Sequence, residues 1–119
     1  MDIDSLVSEC IHSAINYGIS AYEVITDSKR TNKLYKINFN NFKRLKSQGD
    51  KGIEKLSYLL KYNNDYVRYS AAVHLLTIKE NEAKTVLYEL SICSGIFGFS
   101  AEMLLKEWNN GNLREYLVE

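Results

Sequence analysis

Along this chain apolar residues return every three or four positions, the period of a helix with one buried face, and no segment sustains the alternation that marks a strand. The first helix is predicted from about Asp4 to Ile25. Leu6, Val7, Cys10, Ile11, Ala14, Ile15, Gly18, Tyr22 and Ile25 form its inner face, and Asp2 or Asp4 accepts from the free amides of its first turn. The second runs from Ser28 to Gln48 behind Asp27 as N-cap, with Leu34, Ile37, Phe42 and Leu45 as its apolar stripe. Gly49 stands where a left-handed residue would end it. The third, Asp50 to Tyr62, turns Ile53, Leu56, Leu59 and Leu60 inward. The fourth occupies Asn64 to Leu76, capped by Asn64 or Asp65, and the fifth Glu80 to Cys93, with Ala83, Val86, Leu87 and Leu90 on one face. Glu80 and Glu82 suit its positive end. Ser94 to Gly98 reads as a turn burying Ile96 and Phe97. The sixth helix, Ser100 to Asn109, turns Ala101, Leu104, Leu105 and Trp108 inward, and Gly111 ends it. The tail from Asn112 to Glu119 repeats Leu113, Tyr116 and Leu117 at helical spacing and adds one more turn.

Six helices joined by short connections pack as antiparallel neighbours. Within the fourth, Ala71 and Ala72 allow close approach of backbones, and Arg68 can reach Asp65 or a neighbouring carbonyl while its stem covers apolar surface. The small-residue and leucine pattern of Ala71 to Leu76 is echoed about 30 residues later by Ala101 to Leu105, a period compatible with stacked helix pairs. The expected fold is one all-α domain over residues 1–119, an α-α superhelix.

Charge changes the picture because it is segregated. The 119 residues sum to a net charge of zero, yet residues 1–28 carry −5, residues 29–61 carry +8 and residues 62–119 carry −3. Such a dipolar surface bears on partner choice more than on fold. Proline is absent, so long helices are permitted. No apolar run is long and unbroken enough to span a bilayer, and no basic region precedes an apolar core at the N-terminus, so neither a membrane span nor a secretory signal is expected. Cys10 and Cys93 lie in apolar contexts and read as two buried, reduced thiols of a cytoplasmic protein.

Candidate chemistry is thin. Cys10 and His12 are two residues apart on a helix and point away from each other, so they cannot share a metal ion; His12 reads as a surface residue and His74 as a boundary one. No nucleophile elbow, Walker loop or dinucleotide loop is present. Glu102 and Glu107 fall on different sides of the sixth helix, a poor acid–base pair. No cofactor, no metal and no enzymatic activity are expected.

The surface is more informative. On the second helix Lys29, Lys33, Lys36, Lys43, Arg44 and Lys46 fall opposite the apolar stripe, bordered by Tyr35 and Phe39. Such a face suits a solvated helix, an acidic partner, or phosphates with bases stacked beside them. A dedicated nucleic-acid binder is usually net basic, which this chain is not. Tyr66, Tyr69, Tyr88, Ile92 and Met103 lie partly or wholly off their stripes, and exposed tyrosine is a frequent interface anchor.

Val67-Arg68 followed by Ala71-Ala72 and Leu75 resembles the second-helix signature of HEAT-like repeats. The run from Val67 to Leu113 is similar to a family of small bacterial helical domains of unknown function, most specifically in Leu104-Leu105-Lys106-Glu107-Trp108 with Asn110-Gly111-Asn112-Leu113. Helical proteins of this kind include immunity proteins of toxin–immunity pairs, among them contact-dependent growth inhibition systems. The resemblance implies a HEAT- or armadillo-like superhelix that binds one cognate toxin, a nuclease, in a one-to-one complex and blocks its active site. Carboxylates would occupy the basic cleft of the toxin: Asp2, Asp4, Glu9, Glu23 and Asp27 as one group, Glu80, Glu82, Glu89, Glu102 and Glu107 as another, with Tyr66, Tyr69, Tyr88 and Ile92 as anchors. The alternative is a scaffold for nucleic acid or protein using the basic face of residues 29–46.

Overall fold

The computed structural model describes residues 2–21, 27–93 and 95–112, with the side chains of residues 93 and 95–97 left aside. These form six helices: α1 (Ile3–Ala21), α2 (Ser28–Lys46), α3 (Asp50–Leu59), α4 (Asp65–Leu75), α5 (Glu80–Cys93) and α6 (Gly95–Asn109). Among the described residues there is no strand, and the chain is all-α. Tyr22, Glu23, Ile25 and the tail beyond Asn112 lie outside the described residues.

Local chemistry sets the helix starts. The Asp27 carboxylate accepts from the amides of Lys29 (3.1 Å) and Arg30 (3.2 Å). Asn64 Oδ1 accepts from Tyr66 (3.0 Å) and Val67 (3.2 Å), so Asn64, not Asp65, caps α4. Asp2 accepts from Ser5 (2.8 Å), and this bond holds its carboxyl below the usual aspartate value. Gly49 has φ 76° and ψ −146°. That is the mirror-extended region open to glycine alone, not the expected left-handed helical cap, and Gly49 serves as the N-cap residue of α3. Gly111 does take a positive φ after α6.

The expected turn at Ser94–Gly98 is not what forms: α6 starts at Gly95, immediately beyond Ser94. The reason is a close approach. A Cβ on Gly98 would stand 3.0 Å from the Ser91 carbonyl, so glycine here lets α6 lie directly against α5.

Helix α4 is the hub, packing on α1, α2, α3 and α5, while α6 rests mainly on α5. The core is one cluster that runs through it: Val67, Ala71, Ala72 and Leu75 join Leu6, Cys10, Ala14, Phe42, Leu45, Leu56 and Leu59 of α1 to α3 and Ala83, Leu87 and Leu90 of α5, with Ala101 and Trp108 of α6 beyond. Cys10 is fully enclosed, and burial, reinforced by Glu9, pushes its thiol up to about 12.

Two inner-face expectations need correction. Ile37 is exposed, and Asn38 and Asn41 are buried in its place, because positions 38, 41, 42 and 45 lie on one side of α2 and position 37 does not. Asn38 bridges three helices: Ser13 Oγ donates to its Oδ1 (2.9 Å) and its Nδ2 donates to Ser70 Oγ (3.0 Å), joining α1, α2 and α4. His74 is a core residue rather than a boundary one, 3% exposed, with its ring 4.6 Å from Phe39 and stacked 5.7 Å from Phe42. Burial, with Lys46 and Lys43 nearby, pushes it down to about 3, so the ring is neutral.

Candidate interaction surfaces

The first carboxylate group does not converge. Asp2 caps α1, Asp4 lies 3.8 Å from Lys55, Glu9 lies 4.0 Å from Arg44, and Asp27 caps α2 at the far end of α1. Glu23 lies outside the described residues.

The second group is partly gathered. Arg68 organises it as its position predicts: Nε donates to the Leu60 carbonyl (3.2 Å), Nη2 to Glu89 Oε2 (2.8 Å), and Nη1 lies 3.5 Å from Asp65. Around it opens a cleft of about 920 Å³ between the α3–α4 turn and α5. Leu60, Tyr62 and Val86 supply its apolar wall, and Asp65, Glu82 and Glu89 its carboxylates. Glu82 forms no ion pair among the described residues, whereas Glu80 pairs with Lys84 (2.9 Å) and Glu102 with Lys106 (3.6 Å). Glu107 accepts from Asn112 Nδ2 (2.8 Å).

The off-stripe aromatics divide. Tyr66 and Tyr69 are not free anchors. A Cβ on Gly18 would collide with the Tyr66 ring, so that ring fills the α1–α4 contact, and Tyr69 packs against the core. Tyr88 and Ile92 are 62% and 69% exposed. Phe99, 61% exposed, and Met103 lie one step off the buried stripe of α6, as Tyr88 and Ile92 do on α5. Helical winding points each of these side chains away from the buried stripe of its own helix. Phe99 was legible: it lies four residues before Met103 and off the line of Ala101 and Trp108.

The basic face narrows. Lys29, Lys33, Lys36 and Lys43 are exposed and meet no carboxylate among the described residues. Arg44 approaches Glu9. Lys46 does not lie opposite the core: it is half-buried on the flank that carries Phe39, and desolvation lowers its affinity for a proton. Tyr35 sits on that flank too, its ring 5.6 Å from Tyr17 and 6.0 Å from Phe39.

His12 is exposed, and no cluster of three potential metal ligands occurs among the described residues. No helix among them is long and apolar enough to cross a membrane. Set against known proteins, the chain matches no family model, no curated protein and no solved structure.

Proposed function

We propose that the chain works by binding rather than by catalysis, and that it captures a protein partner on the outer side of α5 and α6. The observation that carries this reading is the set of large apolar groups left in solvent there, Tyr88, Ile92 and Phe99, each more than 60% exposed. Groups of this size contribute little to a monomer in water and much to a desolvated interface. Glu89 and Glu102 stand beside them on the same two helices, and Glu82 opens into the adjoining cleft. The complement is a partner with a basic, partly apolar surface.

The resemblance at Val67–Leu113 sets the biological frame: an immunity protein acting in the cytoplasm, holding a nuclease toxin one-to-one with carboxylates where phosphates would sit. Long-range attraction between the carboxylates and a basic cleft would speed capture.

The test is co-purification of the tagged chain with the product of the adjacent reading frame, paired with protection of cells expressing that product. Wild type should form a one-to-one complex and protect; Ile92→Asp with Tyr88→Ala should fold normally and lose both. Protection unaffected by these changes removes the α5–α6 face from the proposal. A partner bound without protection removes immunity and leaves a binding module.

A further inference from the structure

Helix α2 departs from the mixed-sign charge pattern of α5 and α6, although Lys43, Arg44 and Lys46 suit its negative end. Its 19 residues include seven basic groups and no acidic one. Lys29 and Arg30 sit in its first turn, beside the positive end of the helix dipole, where cations are unfavourable. Lys29 and Lys33 are one turn apart, as are Lys33 and Lys36, and like charges at those spacings repel. By contrast, α5 opens with Glu80 and Glu82 and pairs Glu80 with Lys84, and α6 pairs Glu102 with Lys106. A helix charged only for solubility would mix signs as those two do. Repulsion retained against local stability marks a face that is compensated by something outside the chain.

The geometry of the row narrows what that is. Lys29, Lys33, Lys36 and Lys43 follow one line along the helix and span about 21 Å at 1.5 Å per residue. Asn32 and Asn40 lie exposed beside them as neutral hydrogen-bonding groups. The only large apolar side chain exposed on α2 is Ile37. Protein interfaces are depleted in lysine and need buried aromatic or aliphatic anchors, which this face lacks. A row of lysines without anchors suits a repeating anion that keeps its solvent and exchanges its counterions: a phosphodiester backbone. The neutrality of the whole chain is no obstacle. Beyond about 8 Å at physiological salt, charges on other faces are screened, so the local sign governs docking.

We propose that the outer face of α2 binds the phosphodiester backbone of nucleic acid through Lys29, Lys33, Lys36 and Lys43, without reading base sequence. No substantial packing joins α2 to α5 or α6, so this site does not depend on the protein-binding face proposed above.

The experiment is fluorescence anisotropy with the full chain and labelled DNA of about 20 nucleotides, as single strand and as duplex, at rising salt. Four phosphate contacts predict that affinity falls about 150-fold for duplex and about 50-fold for single strand between roughly 50 and 200 mM salt. The arm with the higher affinity identifies the form bound. Lys33→Glu/Lys36→Glu/Lys43→Glu should lose about 30-fold or more in affinity at low salt with helicity and melting preserved, since all three side chains are exposed and the change at position 33 turns its repulsion with Lys29 into an attraction. The milder Lys33→Gln/Lys36→Gln/Lys43→Gln should lose about 10-fold and decides the matter if the first variant fails to fold. Lys61→Glu/Lys79→Glu/Lys106→Glu carries the same change in net charge elsewhere and should keep most of the affinity. No binding at about 50 mM salt overturns the proposal, as does equal loss in the two charge-reversal triples. Poly-glutamate of similar length binding as tightly as DNA also overturns it, in favour of an acidic protein segment.

Discussion

Helix α4 is packed on two sides, and the two sides are built differently. Toward α1 and α2 its contacts are directional: Ser70 takes a hydrogen bond from Asn38, which in turn accepts from Ser13, and His74 lies against Phe39 and Phe42. Toward α5, with α6 behind it, the buried residues among those described are Ala83, Leu87, Leu90, Ala101 and Trp108, apolar apart from one indole. A junction of hydrogen bonds tolerates one register, because a slip strands buried polar groups. A core of aliphatic side chains is fixed by volume and tolerates repacking, and here the one directional link from α4 to α5 described above, Arg68 to Glu89, lies at the rim. The difference separates a half of the molecule that is specified chemically from one that is specified by shape.

The two halves should therefore fail differently. The largest single loss belongs to the shape side. Leu87→Ala, at a fully buried site, should lower stability by about 3 to 4 kcal/mol in urea titrations, and Leu87→Met by less than about 1.5.

Next comes acid. In the unfolded chain His74 titrates near 6.5, in the folded chain near 3. As pH falls through 6.5 the unfolded state gains a proton that the folded state refuses, so stability is full above that pH and declines toward 3. Between pH 6.5 and about 4 the loss should be on the order of 3 kcal/mol. Melting of His74→Phe across this range should show a much flatter profile; an unchanged profile would reassign the acid sensitivity. The Asp2 contribution, from a lowered carboxyl, disappears only as pH falls below the ordinary aspartate value of 3.8 and so does not mimic it.

Asn38→Ala should cost about 2 kcal/mol by leaving the Ser70 hydroxyl without its donor, and a double-mutant cycle with Ser70→Ala should show coupling of about 1 kcal/mol. The smallest effect is that of Arg68→Ala, about 1 kcal/mol, since its bonds to Leu60 and Glu89 are partly open to water. Coupling near zero at Asn38–Ser70 would erase the contrast between the halves.

What the chain discloses before folding divides along similar lines. Asp27 and Asn64 were legible as caps because a cap joins a side chain to amides two and three residues away. The buried face of α2 was misjudged because polarity and spacing disagree there. Spacing alone aligns Asn38 and Asn41 with Phe42 and Leu45, and only the partners Ser13 and Ser70, distant in sequence, make an inward asparagine acceptable. Tyr66 and Tyr69 are less open than an off-stripe position suggests: a residue off its own stripe is exposed only if no other helix covers it, and α1 covers Tyr66 at Gly18. The α5–α6 joint hid behind two glycines that resemble a turn, one of which is there for close contact. The lysine row was legible in position; that its members meet no carboxylate among the described residues, while Arg44 approaches Glu9, was not.

The enclosed Cys10 has a practical consequence. Its thiol has no access to solvent and, raised to about 12, almost no thiolate at neutral pH, so an alkylating reagent can reach it only when α1 lifts from α2 and α4. In a Cys93→Ser background the rate of alkylation becomes a clock for that excursion. Read against the rate for the unfolded chain, it measures how often the hydrogen-bonded half of the protein opens in the native state, without denaturant.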